Sequence, residues 1–218
     1  MHDMHETLQQ HWLKHAKGVD IEQPSMPLLS QLVTAWSLPH RHYHSLRHLQ
    51  ECLQLLERWG KDIAARHEIG MALWFHDAIY EPERDDNEDK SARWAAKALK
   101  ELGVADDRVR RIGKLIRATK HLSPTAKARA ARVDGLDLML DIDLAILGSD
   151  RARFEAYERQ VRNEHAHVSD AAFARARADF IEALLGVSPL YRTEIARSEL
   201  EAKARENLLR SLRTWRKA

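Results

Sequence analysis

The stretch that decides the fold is Met71-Ala72-Leu73-Trp74-Phe75, which leads directly into His76-Asp77. Five consecutive apolar residues stand near the end of a segment from Ile63 to about Ala78, and they predict the most buried helix of the chain. An imidazole and a carboxylate come next in the sequence. Removing these two groups from water is costly unless they are paired or bind a metal ion. The doublet is therefore a candidate metal site. The alternative is a capping Asp77 beside a hydrogen-bonded core His76.

Apolar residues recur at helical spacing on both sides of this stretch, for example in an i, i+3, i+4 stripe between Ser45 and Trp59 that stops at Gly60. With 8 Gly and 6 Pro in 218 residues, a sandwich or barrel of short strands is disfavoured. The sequence predicts an all-α fold, with helices over about 4–17, 27–36, 45–59, 63–78, 87–102, 106–121, 136–147, 150–167, 169–185 and 193–215.

These segments are predicted to form a single domain of roughly ten helices over residues 1–218, because no repeat or long linker divides the chain. The N-terminal helices are expected in residues 1–38, the metal-site core in 39–148 and the C-terminal helices in 149–218. The basic, alanine-rich residues 126–132 are expected to form a turn or a short helix.

The composition excludes several classes of protein. Its 35 basic and 33 acidic residues give a formal net charge of +2, which offers no argument for binding a nucleic acid polymer or an anionic membrane. The single cysteine, Cys52, excludes an internal disulfide and a cysteine-based zinc site, and it fits a reducing compartment. The first residues contain no apolar run, so we expect no signal peptide, and no stretch approaches the ~18 apolar residues of a membrane span. We expect a cytoplasmic protein, and a homodimer is one possible oligomeric state.

A second cluster, residues 39–48, holds four histidines just before and inside a predicted helix N-terminus. His44 and His48 are four residues apart, which places both imidazoles on one helix face where they could share a metal ion. An ordinary surface or capping role is the alternative for this pair. The zinc-protease pattern is not met, since Ser45 rather than a glutamate follows His44.

The first predicted helix and its start carry four further histidines, His2, His5, His11 and His15. We interpret them as exposed residues and expect no metal site there. Chemistry is expected instead at the doublet, at the 39–48 cluster and at an aspartate pair further along the chain.

That aspartate pair, Asp141 and Asp143, lies in the apolar helix predicted at 136–147. Because residues two apart on a helix face different directions, at most one of them points to any given site. Asp143 shares a stripe with Leu140 and Leu147, whereas Asp141 falls on a neighbouring face. We therefore expect a buried Asp143, whose charge needs compensation, and a solvated Asp141. The alternative is that one of the two is exposed and the other is a cap.

The chain contains the ordered pattern H…HD…D. Its parts are a histidine, a later His-Asp doublet that ends an apolar helix, and a still later aspartate. In this pattern the chain resembles the HD-domain superfamily, and within it a bacterial group described as predicted metal-dependent phosphohydrolases. The resemblance covers roughly residues 39–210 and implies an all-α fold, but it does not identify a substrate. Its five segments are Tyr43-His44-Ser45-Leu46-Arg47-His48-Leu49, Phe75-His76-Asp77-Ala78-Ile79-Tyr80, Asn87-Glu88-Asp89-Lys90-Ser91-Ala92, Thr119-Lys120-His121 and Asp141-Ile142-Asp143-Leu144-Ala145-Ile146-Leu147-Gly148.

The resemblance implies a set of metal ligands. His44 matches the first ligand of the superfamily, and His76 and Asp77 match its doublet. Asp143 matches the closing aspartate, and His121 stands where many members have an extra histidine associated with a second metal ion. Because no further histidine follows before Asp143, one divalent ion is expected, of Mn, Co, Mg, Ni, Zn or Fe.

By the same resemblance, the bound ion would activate a water molecule and polarise a phosphoryl oxygen of a small phosphorylated metabolite, such as a nucleotide. Single-metal nucleotidases of the superfamily often have a glutamate four residues after the doublet histidine, where this chain has Tyr80. The catalytic carboxylate is then Glu81 or Glu88. Arg47 and Lys120 could hold phosphate oxygens, with a solvated surface role as the alternative.

Two other functions stay open. A di-iron oxygenase of the same fold would need ligands beyond these five, with His121 bound to iron. A non-catalytic module would keep the metal ion and bind a nucleotide without turnover.

Overall fold

The computed structural model describes residues 2–120 and 133–217. Every regular element in that part of the chain is helical, which confirms the predicted all-α fold and its roughly ten helices. The α-helices are α1 (His2–Gly18), α2 (Met26–Trp36), α3 (Leu46–Trp59), α4 (Arg66–Phe75), α5 (Asn87–Glu101), α6 (Asp106–Ala118), α7 (Leu136–Asp143), α8 (Arg151–Glu164), α9 (Asp170–Leu185) and α10 (Glu194–Trp215). A 3₁₀ helix covers Leu144–Gly148. Residues 126–132, where a turn or short helix is expected, lie outside the described part.

Side-chain caps explain why several helices begin where the sequence predicts. Ser25, Ser169 and Thr193 each accept a hydrogen bond from the backbone N–H three residues later, at the start of α2, α9 and α10. A hydroxyl in this position satisfies one of the N–H groups that have no partner within the helix.

The helix expected over 136–147 is shorter than predicted. It ends at Asp143, and the chain continues as the 3₁₀ helix, a common ending because it tightens the last turn. The Tyr191 hydroxyl and the Asn207 amide donate hydrogen bonds of 3.1 and 2.9 Å to carbonyl groups of the 3₁₀ helix. Tertiary partners that a local pattern does not reveal therefore stabilise the tighter helix.

The chain divides into two compact units, Met1–Leu140 and Asp141–Ala218. In the first unit, α4 packs against α1, α3, α5 and α6. Every side chain from Ile69 to Phe75 that is larger than hydrogen is fully buried. Burying one large apolar side chain contributes about 1.5–3 kcal/mol. Among the helices that the structure describes, the prediction that this one is the most deeply buried is confirmed.

Aromatic side chains fix the position of α4 in the first unit. The ring of Trp74 meets the ring of Trp12 on α1 edge-on, with centroids 5.6 Å apart. Phe75 makes a similar contact with Trp94 on α5, at 5.8 Å. These contacts hold the end of α4, where the His-Asp doublet follows.

In the second unit, α10 packs against the 3₁₀ helix and against α9. Asp141 anchors the start of α10: its carboxylate accepts hydrogen bonds from the backbone N–H groups of Arg192 and Thr193 and from the Thr193 hydroxyl. A negative charge at a helix N-terminus is stabilised by the unpaired N–H groups and by the helix dipole. Asp141 thus has a structural role.

Each unit has its own buried residues, and the expectation of a single domain stays a prediction. Among the described residues, no helix combines the length and the apolar character needed to cross a bilayer.

Candidate metal centre

The doublet histidine, His76, has a fixed tautomer. It follows the last residue of α4 with helical backbone angles, and its ring is buried. Its Nδ1 atom lies 2.9 Å from the Leu73 carbonyl oxygen. Because a carbonyl can only accept, Nδ1 carries the proton and Nε2 presents a lone pair. This arrangement orients a metal-binding histidine and raises its basicity.

Two other donor atoms face the Nε2 atom of His76. The Nε2 atom of His48 lies 3.3 Å away, and Oδ2 of Asp77 lies 3.1 Å away. The distance from His48 Nε2 to Asp77 Oδ2 is 4.0 Å. With bonds near 2.1 Å, neighbouring ligands of one tetrahedral ion are about 3.4 Å apart. The three donors therefore fit a single divalent ion.

The chemistry of these donors points to a metal of intermediate softness. Two imidazoles and one carboxylate are ligands that suit Zn²⁺, Mn²⁺, Fe²⁺, Co²⁺ or Ni²⁺. A site made only of oxygen atoms would suit these ions less well. His48 and His76 are almost fully buried, whereas the side chain of Asp77 keeps 16% of its exposure. The cluster is thus closed on the histidine side and reached from solvent on the side of Asp77.

His48 is the residue that the sequence-based ligand set leaves out. It lies in the first turn of α3 and turns inward. His44 precedes the helix, its ring is stacked on Tyr80 at 4.1 Å, and its centroid is 6.0 Å from that of His48. In the sequence, the i, i+4 spacing of the two histidines was the feature that indicated His48 as a possible ligand. That His44 is a ligand stays a prediction.

Apolar groups surround the two histidine rings. The ring of Trp36 lies 5.4 Å from that of His76, and its indole N–H donates to the Trp74 carbonyl oxygen at 3.0 Å. The Cys52 sulfur, one turn further along α3, lies 3.7 Å from the Nδ1 atom of His48. Such walls exclude water and strengthen electrostatic interactions inside.

A buried arginine that the sequence analysis did not single out supports the centre. The Arg41 guanidinium donates to the carbonyl oxygens of Asp77 at 2.6 Å, Ala78 at 3.0 Å and His44 at 3.1 Å. It also lies 5.5 Å from the ring centroid of Tyr80 and at the same distance from that of Trp36. Arg41 therefore ties the segment before α3 to the turn that carries the doublet.

The loop after the doublet is held by α5. Ser91 Oγ accepts from the backbone N–H of Ile79 at 3.0 Å, and the Asn87 side chain bonds both the N–H and the carbonyl of Glu81, at 3.2 and 2.9 Å. The side chain of Glu81 is exposed, and Glu88, in the first turn of α5, is half-buried. The choice between the two as catalytic carboxylate stays open.

Both candidate phosphate-binding cations have protein partners. Arg47 lies on the exposed face of α3, where its guanidinium pairs with Glu51 at 3.0 Å. The Lys120 ammonium donates to the Asp85 carbonyl oxygen. Their roles toward a substrate stay predictions.

The expected environments of the aspartate pair are wrong. Asp141, expected in solvent, is 1% exposed and bonded to the start of α10, whereas Asp143, expected to be buried, is half-buried. Asp143 lies near Tyr157 on α8: burial raises the pKa of that hydroxyl, and the negative charges of Glu158 and Asp143 act in the same direction. Asp143 as a ligand stays a prediction, and His121 lies outside the described residues.

No family model, curated protein or solved structure matches the chain. The resemblance to the HD-domain superfamily therefore stays a prediction that rests on the quoted segments.

Proposed function

We propose that the protein is a metal-dependent phosphohydrolase that acts on a small phosphorylated metabolite, such as a nucleotide. The observation that carries the proposal is the His48–His76–Asp77 cluster, with three donor atoms within 4.0 Å of one another and the His76 tautomer set by Leu73. A divalent ion at this position would supply an activated water and an electrophile for a phosphoryl oxygen.

Residues of the chain would supply the rest of the reaction. The backbone contacts of Arg41 keep the doublet turn in register with the segment before α3. Glu81 or Glu88 would accept a proton from the attacking water. Arg47 and Lys120 would exchange their protein partners for phosphate oxygens when the substrate binds, because charge-assisted bonds to phosphate are stronger than surface ion pairs.

A phosphate-release screen on chelated and metal-loaded protein tests the proposal. We expect turnover of at least one phosphomonoester or phosphoanhydride with Mn²⁺, Co²⁺, Ni²⁺, Mg²⁺, Zn²⁺ or Fe²⁺, and its loss in His76→Ala. His42→Ala, which changes an exposed histidine within residues 39–48, is the matched control and should keep full activity. Full turnover by chelated protein, or no cleavage of any phosphate compound with any of the metals, overturns the hydrolase assignment.

One observation favours a second candidate function, a metal- and nucleotide-binding module without turnover. Both Arg47 and Lys120 are already bound to groups of the protein, so neither of these two candidate cations is held ready for a transferred phosphoryl group. Nucleotide affinity that depends on metal, without phosphate release, would select this function.

A further inference from the structure

A second set of donor atoms lies in the first unit, between α1 and α3. His11 and His15 are one turn apart on α1, and Glu57 is near the end of α3. The Glu57 Oε1 atom lies 3.8 Å from His11 Nδ1 and 3.7 Å from His15 Nε2. These three residues share no member with the doublet centre.

Within the part of the chain that the structure describes, three polar atoms of this cluster are buried without hydrogen-bond partners. His15 has no exposed surface, and neither of its ring nitrogens is hydrogen-bonded; Glu57 Oε1 is likewise buried and unbonded. A separation of 3.7 Å is too long for a hydrogen bond. It is close to the distance of about 3.4 Å between two ligands of one ion with bonds near 2.1 Å. The expectation that His15 is an exposed helix residue is wrong.

Packing holds the His15 ring in this orientation. A Cβ atom added at Gly70 on α4 would lie 2.2 Å from His15 Nδ1, so only glycine allows the ring to approach the helix this closely. The ring of His67 meets it edge-on at 5.4 Å. The His11 ring lies nearly parallel to it at 6.3 Å, so both imidazoles present the same side of α1.

The carboxylate is also held in place. Its second oxygen, Oε2, accepts from Arg66 at 3.1 Å and from the Lys14 ammonium. These two cations occupy Oε2 and leave Oε1 directed at the histidines. The side chains of His11 and Glu57 keep 12% and 27% of their exposure, so an ion can reach the cluster from solvent, with His15 at its base.

We propose that His11, His15 and Glu57 form a second metal site, which binds Zn²⁺ or another borderline ion such as Co²⁺ or Ni²⁺. Two imidazole nitrogens and one carboxylate oxygen disfavour Mg²⁺ and Ca²⁺, which prefer oxygen ligands. Three protein donors leave a coordination position for water or another small ligand. The site does not depend on the phosphohydrolase assignment.

Co²⁺ binding measured in a His76→Ala background tests the proposal, because that substitution removes a donor of the doublet centre only. The probes are the visible absorption of bound Co²⁺ and the metal content after Zn²⁺ loading and dialysis. We expect His76→Ala to keep one ion per chain with Co²⁺ absorption bands. Adding His11→Gln should weaken binding at least about 100-fold, since losing a ligand costs no less than losing one of its supporting groups.

Two further variants keep this test sharp. Glu57→Gln should weaken binding as His11→Gln does, and both avoid His15, whose replacement could unfold α1. His5→Ala, at an exposed histidine of the same helix, is the matched control and should leave Co²⁺ binding unchanged. Absence of any bound ion in folded His76→Ala, or equal Co²⁺ affinity with and without His11→Gln, overturns the second site.

Discussion

The Nε2 atoms of His48 and His76 lie 3.3 Å apart, and the Leu73 carbonyl fixes the proton of His76 on the other side of its ring. The start of α3 and the end of α4 thus bring two imidazoles together inside the first unit. Asp77 adds an oxygen 3.1 Å from His76 and connects the pair to solvent. This relationship carries the functional proposal, and residues around it can be tested separately.

Arg41→Met should destabilise the protein by about 2–4 kcal/mol, because methionine leaves buried carbonyl oxygens without their charged donor. Metal affinity at the doublet centre should fall as well, since the turn loses its connection to the segment before α3. Urea unfolding and metal titration measure the two effects. Arg47→Met, at an exposed arginine only six residues away, should change stability by less than about 0.5 kcal/mol. Equal stability of the two variants would contradict the role assigned to Arg41.

Asp141→Asn should cost about 2–4 kcal/mol, because an amide replaces the buried carboxylate that accepts hydrogen bonds at the start of α10. Asp143→Asn should cost less than about 1 kcal/mol, since Asp143 is half-buried whereas Asp141 is only 1% exposed. Thermal unfolding of both variants separates the two aspartates. If Asp143 is a ligand, its variant also loses metal while staying folded; a larger loss of stability in Asp143→Asn than in Asp141→Asn would reverse the assignment.

Gly70→Ala should destabilise the first unit by about 1–3 kcal/mol, because the new methyl group would overlap the His15 ring. Gly113→Ala on α6 is a matched change in another helix with a buried face, where the methyl group would lie 3.1 Å from the end of the flexible Arg117 side chain. That variant should be unchanged or more stable by up to about 1 kcal/mol, owing to the helix propensity of alanine. Similar unfolding midpoints for the two variants would show that the ring is not held against α4.

Lys14→Gln should raise the affinity of the second site for Zn²⁺ by about tenfold, because it removes a positive charge from the carboxylate that would bind the ion. Lys17→Gln, at an exposed lysine of the same helix, should leave the affinity unchanged. Competition with a zinc-binding dye measures both dissociation constants. Weaker zinc binding in Lys14→Gln would mean that the ammonium supports the cluster rather than competing with the ion.

Local patterns were sufficient for most of the fold. The apolar run before His76 predicted the burial of α4, and Gly60 marked where α3 ends. The doublet itself was predicted from the cost of removing its two polar groups from water. In these places, the interactions that decide the structure lie within one or two helical turns.

The residues that were misjudged depend on partners distant in sequence. The spacing of His44 and His48 indicated a shared face, but the start of α3 at Leu46 decides which of them enters the core. Asp141 is buried because its hydrogen-bond donors arrive with α10, some fifty residues later. His15 lies on a helix of largely polar residues, and its burial follows from the absence of a side chain at Gly70. No single-helix pattern carries this information.

The most direct test compares the His11→Gln protein with the same protein carrying His48→Ala as well. The His11→Gln substitution leaves only the doublet centre able to hold a metal ion. Metal content after Mn²⁺ or Co²⁺ loading and phosphate release are measured on the same samples, with His42→Ala as the control. We expect one ion per chain and metal-dependent phosphate release in the background and the control, and loss of both in folded His48→Ala. Retention of the full metal content and activity by His48→Ala would contradict it.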